Sequence, residues 1–145
     1  MTPDELRAGW EAAYRRTEYR VELPGGHLIL RVDLHQEADD QRLRREAEVQ
    51  THWAIVTACN PGSKACGASE NARLQDELSE AAQHLDVRCI GSINRDPFAD
   101  WPDEPGYLMC DPPPGSAEAL GRHFRQNAIL AGRLGEAPRL VWLAE

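Results

Sequence analysis

The sequence predicts an α+β domain. The expected form is a two-layer sandwich, with two to four helices on a mixed or mainly antiparallel sheet of about five to six strands. Three observations carry this. The chain has 145 residues, 41% of them hydrophobic, which suits one core, so residues 1–145 are read as a single domain. The periodicity runs helix, strand, strand, a charged stretch at 33–50, then strand, helix, strand, strand, helix, strand. One of these strands, Trp53 to Cys59, is nearly all apolar, as expected for a central strand covered on both faces.

Each element has its own signal. Thr2-Pro3-Asp4-Glu5 supplies an N-cap, a proline at the first helical position and a capping-box glutamate. Leu6, Trp10 and Tyr14 then follow at i, i+4, i+8 as one apolar stripe. Tyr19 to Leu23 and His27 to Val32 read as strands joined by a Pro24-Gly25-Gly26 turn. Residues 33–50 mix both charge signs, with Arg42/Glu46 and Arg44/Glu48 at i, i+4; this is a charged surface insertion or a solvated helix. After the Trp53–Cys59 strand, a helix runs from Ser69 to Leu85 with Leu74, Leu78, Ala81 and Leu85 inward. Val87 to Ile93 is the next strand. Asn94 to Gly106 is a loop rich in Asp and Pro, and Tyr107 to Cys110 a strand halted by Pro112-Pro113-Pro114. Ser116 opens a helix through about Asn127. Ala128–Ala131 and Leu140–Leu143 end the chain as strands.

Composition excludes several function classes. A net charge of −8 argues against nucleic-acid and anionic-membrane partners, which need a clustered basic surface. No apolar run reaches a membrane span, and the acidic N-terminus lacks the apolar core of a signal peptide. The expected location is the cytoplasm, where Cys59, Cys66, Cys89 and Cys110 are reduced thiols. Their spacing fits no zinc knuckle, no metal site is expected, and no motif names a cofactor.

Four constellations remain. The first is the loop after the apolar strand, where Asn60, Ser63 and Lys64 surround a Pro61-Gly62 turn ahead of a helix N-terminus. Such a place suits a small polar or anionic group; Lys64 is the single lysine beside fifteen arginines. The second is His123-Phe124-Arg125-Gln126-Asn127, which on a helix puts His123 and Asn127 on one face beside Gln126. The imidazole there is a candidate general base. The third is the loop Trp101 to Gly106, whose Glu104 is a candidate acid–base carboxylate. The fourth is Cys59: a nucleophile if exposed near Lys64, otherwise a small core residue.

The segments Trp53-Ala54-Ile55-Val56-Thr57-Ala58-Cys59-Asn60-Pro61-Gly62-Ser63, Glu70-Asn71, Glu104 and Phe124-Arg125-Gln126-Asn127-Ala128 together resemble an uncharacterised bacterial domain family, a domain of unknown function. Its pattern is W-A-[FI]-[IV]-T-A-x-N-P-x-S, then E-N, a central glutamate and F-x-Q-N-A. The resemblance covers about residues 10–143 and leaves 33–50 outside the motifs. It implies one compact domain, no stated activity, and a set of residues that matter: Thr57, Asn60, Ser63, Asn71, Glu104, Gln126 and Asn127. The family position before Asn-Pro is expected to be aromatic and is Cys59 here, which counts against thiol chemistry.

Hydroxyls and carboxamides dominate that set, and such groups recognise polar ligands or knit buried networks. The leading expectation is a pocket at the end of the Trp53–Cys59 strand that binds a small polar or anionic, nucleotide-like metabolite. The ligand-binding candidates are Thr57, Asn60, Ser63, Lys64, Asn71, Gln126 and Asn127. Two alternatives stand beside it: a hydrolase or transferase with Glu104 or His123 as general base, and an acidic protein-interaction or inhibitor module.

Overall fold

Seven strands form one sheet in which every pairing is antiparallel, in the order β2-β1-β4-β5-β3-β6-β7. The computed structural model describes residues 2–144. Its elements are α1 (Pro3–Arg16), β1 (Glu18–Leu23), β2 (Gly26–Leu30), α2 (Glu37–Glu46), β3 (His52–Thr57), α3 (Ala68–His84), β4 (Arg88–Arg95), β5 (Glu104–Cys110), α4 (Ser116–His123), β6 (Ala128–Arg133) and β7 (Arg139–Trp142). The α+β class is as expected, the sheet is antiparallel throughout, and seven strands exceed the five to six foreseen.

Each sheet face has its own core because β3, at the centre, is buried on both sides. Ala54 and Val56 face Leu74 and Leu78 of α3, Ala117 of α4, and Phe124. Trp53 and Ile55 face the other way, toward Tyr19 and Val21 of β1, Leu30 of β2 and Leu130 of β6. Residues of β1 and β6 share this second core although three strands lie between them, so the sheet curls around it. Gly132 allows the curl to fill: a Cβ there would lie 2.1 Å from the Trp53 ring.

The charged stretch at 33–50 does form a helix, and its underside is core. Leu43, Ala47 and Val49 are buried within the curl. Arg42 and Glu46 pair at 2.5 Å, while Glu48 leaves the expected Arg44 pairing and meets Arg88. In α3 the inward positions are Leu74, Leu78 and Ala82, with Leu85 exposed. The helix begins one residue before Ser69, which does not cap it; Gly67 occupies the N-cap position. No helix is long and apolar enough to cross a membrane among the described residues.

Candidate functional site

α2 and the side chains around it close one end of the curl. The other end remains a cavity of about 220 Å³. Pairing register builds its floor: Tyr19 of β1 lies opposite Asn94 of β4, which lies opposite Glu104 of β5. Thr57 ends β3 beside Gly106, and a Cβ on Gly106 would meet the Val56 carbonyl oxygen at 2.6 Å. Ile55 and Leu130 form the apolar base. The roof comes from α1, through Trp10, Ala13 and Tyr14, and from the β4–β5 loop, through Trp101 and Pro102. α1 buries no residue completely. Its apolar stripe instead covers the cavity mouth, where Trp10 stacks on Trp142 at 6.3 Å between ring centroids.

Asn60 organises one wall. The chain takes the left-handed conformation there, at φ 49° and ψ 60°, which asparagine tolerates better than most residues. Its Nδ2 donates to Glu104 Oε2 at 2.7 Å. Its Oδ1 accepts from Asn71 Nδ2 and from the Cys66 amide, both at 2.9 Å. Asn71 Oδ1 in turn accepts from the Asn60 amide at 2.9 Å. Asn71 thus reaches the site from the first turn of α3, and no residue of α3 lines the cavity. The helix N-terminus is therefore not turned on the cavity as the sequence suggested.

Glu104 is the carboxylate that Asn60 holds. The Trp101 indole N–H also donates to Oε2, at 3.1 Å. Both donors go to one oxygen, so Oε1 has no protein donor among the described residues. Burial pushes the Glu104 carboxyl above the ordinary carboxylate range, against the two hydrogen bonds that favour its ionised form. It opens β5 rather than sitting in the preceding loop. β3 ends opposite Gly106, so Pro105 falls beyond that ladder and is tolerated there.

The Asn60–Ser63 turn and the Phe124–Asn127 segment lock together. The Gly62 amide donates to the Arg125 carbonyl at 2.7 Å, and Gln126 Nε2 donates to the Cys59 carbonyl at 3.0 Å. Asn127 Nδ2 donates to Ser63 Oγ at 2.8 Å and to the Tyr14 hydroxyl at 3.3 Å. Tyr14 and Ser63 also share a hydroxyl–hydroxyl bond. Burial raises the Tyr14 hydroxyl pKa, so it is no base for Ser63. Thr57 Oγ1 donates to the Pro105 carbonyl at 2.7 Å and accepts from the Cys59 amide at 3.1 Å.

The cavity lining includes Thr57, Asn60, Ser63, Glu104 and Gln126, with Asn71 and Asn127 one hydrogen bond behind. Lys64 and His123 do not join them. α4 ends at His123, and Arg125 takes a left-handed φ of 55°, so the expected shared face of His123 and Asn127 never forms. His123 is exposed, stands edge-on to Phe124 at 4.9 Å, and lines an outer groove together with Lys64 and Glu70. This position removes His123 as a general base for the cavity and Lys64 as its cation. Cys59 is buried, its Sγ lies 3.6 Å from the Pro105 carbonyl, and burial raises its pKa, as for a core thiol.

Sequence reasoning misses Tyr14, Tyr19, Asn94 and the pair Arg16–Asp96. Tyr14 has the spacing of a core residue on the first helix stripe. Ser92 and Asn94 do carry a signal, since both are polar at inward positions of a strand. Asn94 Oδ1 and Ser92 Oγ are buried without a hydrogen-bond partner. Arg16 holds Asp96 with two bonds of 3.2 Å and reaches Asp100 at 3.5 Å. That pairing keeps Asp96 below the usual carboxylate range.

Among the described residues one group has the makings of a metal site, His35, Glu37 and Asp40. Asp40 already accepts from His35 at 2.7 Å and from the Gly135 amide at 2.9 Å. The group ties α2 to the β6–β7 turn.

The family model described as "Protein of unknown function (DUF3293)" matches residues 56–129, just over half of the chain. The chain therefore belongs to that family. The matched segment is shorter than the span of about 10–143 suggested by the motifs. It contains Thr57, Asn60, Ser63, Asn71, Glu104, Gln126 and Asn127 and excludes α1. Comparison with curated proteins and with solved structures gave no match.

Proposed function

We propose that this member of a family of unknown function binds a small polar metabolite in the cavity at the open end of the curled sheet. The observation that carries the reading is convergence. Thr57, Asn60, Ser63, Glu104 and Gln126, far apart in sequence, line one cavity under an aromatic roof. Concave, mostly apolar sites with a few placed polar groups are the usual form of small-molecule sites. At about 220 Å³ the space suits one ring and its substituents, since drug-sized ligands fill roughly 300–1,000 Å³. An anionic group finds little welcome: Arg16 is held by Asp96 and Asp100, and Lys64 stands outside. Carboxamides, hydroxyls and Glu104 favour a ligand that is neutral or donates hydrogen bonds.

An NMR-detected screen of polar metabolites against the full chain tests this. Binding should shift amide signals of Thr57, Asn60 and Trp101 and weaken in Trp101→Ala. Shifts confined to other surfaces, or none with any compound, would sink the proposal.

One observation favours a second reading, an enzyme with Glu104 as general acid or base. A buried carboxyl with a raised pKa, one oxygen anchored and the other turned to a cavity, has the arrangement that proton transfer requires. For any ligand the screen identifies, Glu104→Gln should then abolish turnover even at saturating ligand. Unchanged turnover removes the enzyme reading and leaves the binding one intact.

A further inference from the structure

Ligand class follows from what the cavity offers and what it withholds, and rests on the reading of the cavity as a binding site. The charged side chains in its lining are Glu104, Asp96, Asp100 and Arg16. Arg16 is shared between the two aspartates, so no cation is left over for Glu104. Glu104 Oε1 takes no protein donor among the described residues. An acceptor enclosed without a donor is costly, and a ligand N–H group would satisfy it.

The side walls define the rest of the ligand. Trp10, Tyr19 and Trp101 line the space with aromatic rings, together with Ile55 and Leu130. Such walls suit a flat ring and are attractive to a cation.

We propose that the cavity recognises a planar nitrogenous cation carrying adjacent N–H donors, such as an amidinium or an amino-substituted nitrogen heterocycle. The donors would meet Glu104, and the ring would lie among Trp101, Tyr19 and Trp10. A flat carboxylate of the same size would meet Glu104 with like charge and is excluded.

The test uses three isosteric probes on the 145-residue chain: benzamidine, benzamide and benzoate, followed by calorimetry and by NMR at one pH and salt concentration. Benzamidine should bind at least tenfold more tightly than benzamide, with benzoate undetectable. Glu104→Gln should lower benzamidine affinity at least tenfold, with circular dichroism checking the fold of the variant. The wild-type ranking decides the matter even if Glu104→Gln does not fold. Benzamide or benzoate binding in the cavity as tightly as benzamidine overturns this inference alone. Failure of benzamidine to bind also overturns this inference, and the metabolite screen then decides the cavity reading separately.

Discussion

Asn60→Ala is the most informative single perturbation, because one side chain serves a turn, a helix and a carboxylate. It would delete the bond to Glu104 at 2.7 Å and the two bonds accepted at 2.9 Å from Asn71 and Cys66. A hydrogen bond to a charged group contributes about 1.5–3 kcal/mol and a neutral one about 0.5–1.5. Asn71 and Cys66 are only half-buried, so water replaces much of what they lose. Placing alanine at φ 49° adds about 1–2 kcal/mol of backbone cost. The expected destabilisation is about 3 kcal/mol. Asn60→Gly loses the same bonds without that strain, but releases more chain entropy on unfolding, about 0.4–1 kcal/mol. It should therefore be less damaging than alanine by about 0.5–1 kcal/mol.

Urea unfolding at neutral pH, followed by tryptophan fluorescence, measures this directly. With an m-value of about 1.5 kcal/mol/M, Asn60→Ala moves the midpoint down by about 2 M. Asn60→Asp supplies an internal check, since it keeps the shape and replaces the Nδ2 donor with an oxygen facing Glu104. Two carboxyls that close raise the pKa of one of them. The folded pair then holds a proton that the unfolded chain has released, so this variant should gain stability as pH falls toward the ordinary carboxylate range. A midpoint shift under about 0.5 M for alanine, or glycine as damaging as alanine, would refute the role given to Asn60.

Three further outcomes are expected. The Glu104 carboxyl titrates above its unfolded value; its burial penalty is absent in acid and grows as pH rises from the ordinary carboxylate pKa through the folded one. Glu104→Gln should accordingly be more stable than wild type at neutral pH, by about 1.4 kcal/mol for each tenfold by which folding tightens the carboxyl's hold on its proton, and the two should converge near pH 4; parallel urea-midpoint profiles would contradict this. Gly132→Ala would place a methyl 2.1 Å from the Trp53 ring and should cost about 1–3 kcal/mol or more, so a urea midpoint within error of wild type would show that the indole yields freely. A thiol reagent should modify half-exposed Cys66 first, and buried Cys59 and Cys110 (the latter with its pKa pushed up to about 11) only on unfolding; four equal rates would contradict the burial.

Much of this fold is legible because its signals are local. The Trp53–Cys59 run can only be a covered strand, and α3 carries its core stripe on a helical period. The Phe124–Asn127 segment reads wrongly as helix because nothing in Arg125 announces a left-handed φ of 55°; the helical pattern continues through it on paper. Glu104 reads as a loop residue because Pro105 looks like a strand breaker, and only the end of β3 opposite Gly106 makes room for it. The curl itself is invisible in the sequence, since it depends on pairing between segments far apart. Tyr19, Asn94 and Glu104 become neighbours only once β1, β4 and β5 are in register.

That register also bears on whether the hydroxyl and carboxamide set is a binding site or a structural network. Asn71, Asn127 and Thr57 spend their hydrogen bonds on other protein groups, and Gln126 does the same with the Cys59 carbonyl. They hold the Asn60–Ser63 turn and the start of β5 at a fixed separation. Fixing those two places fixes Glu104, whose anchored oxygen leaves the other facing the cavity. Sites are more precise when the groups that meet a ligand are held by a second layer that does not. The network and the pocket are therefore two layers of one arrangement. Loosening the outer layer at Asn71 or Asn127 should blur recognition at Glu104 before it unfolds the chain, because α3 and β3 keep their own cores on the opposite face of the sheet.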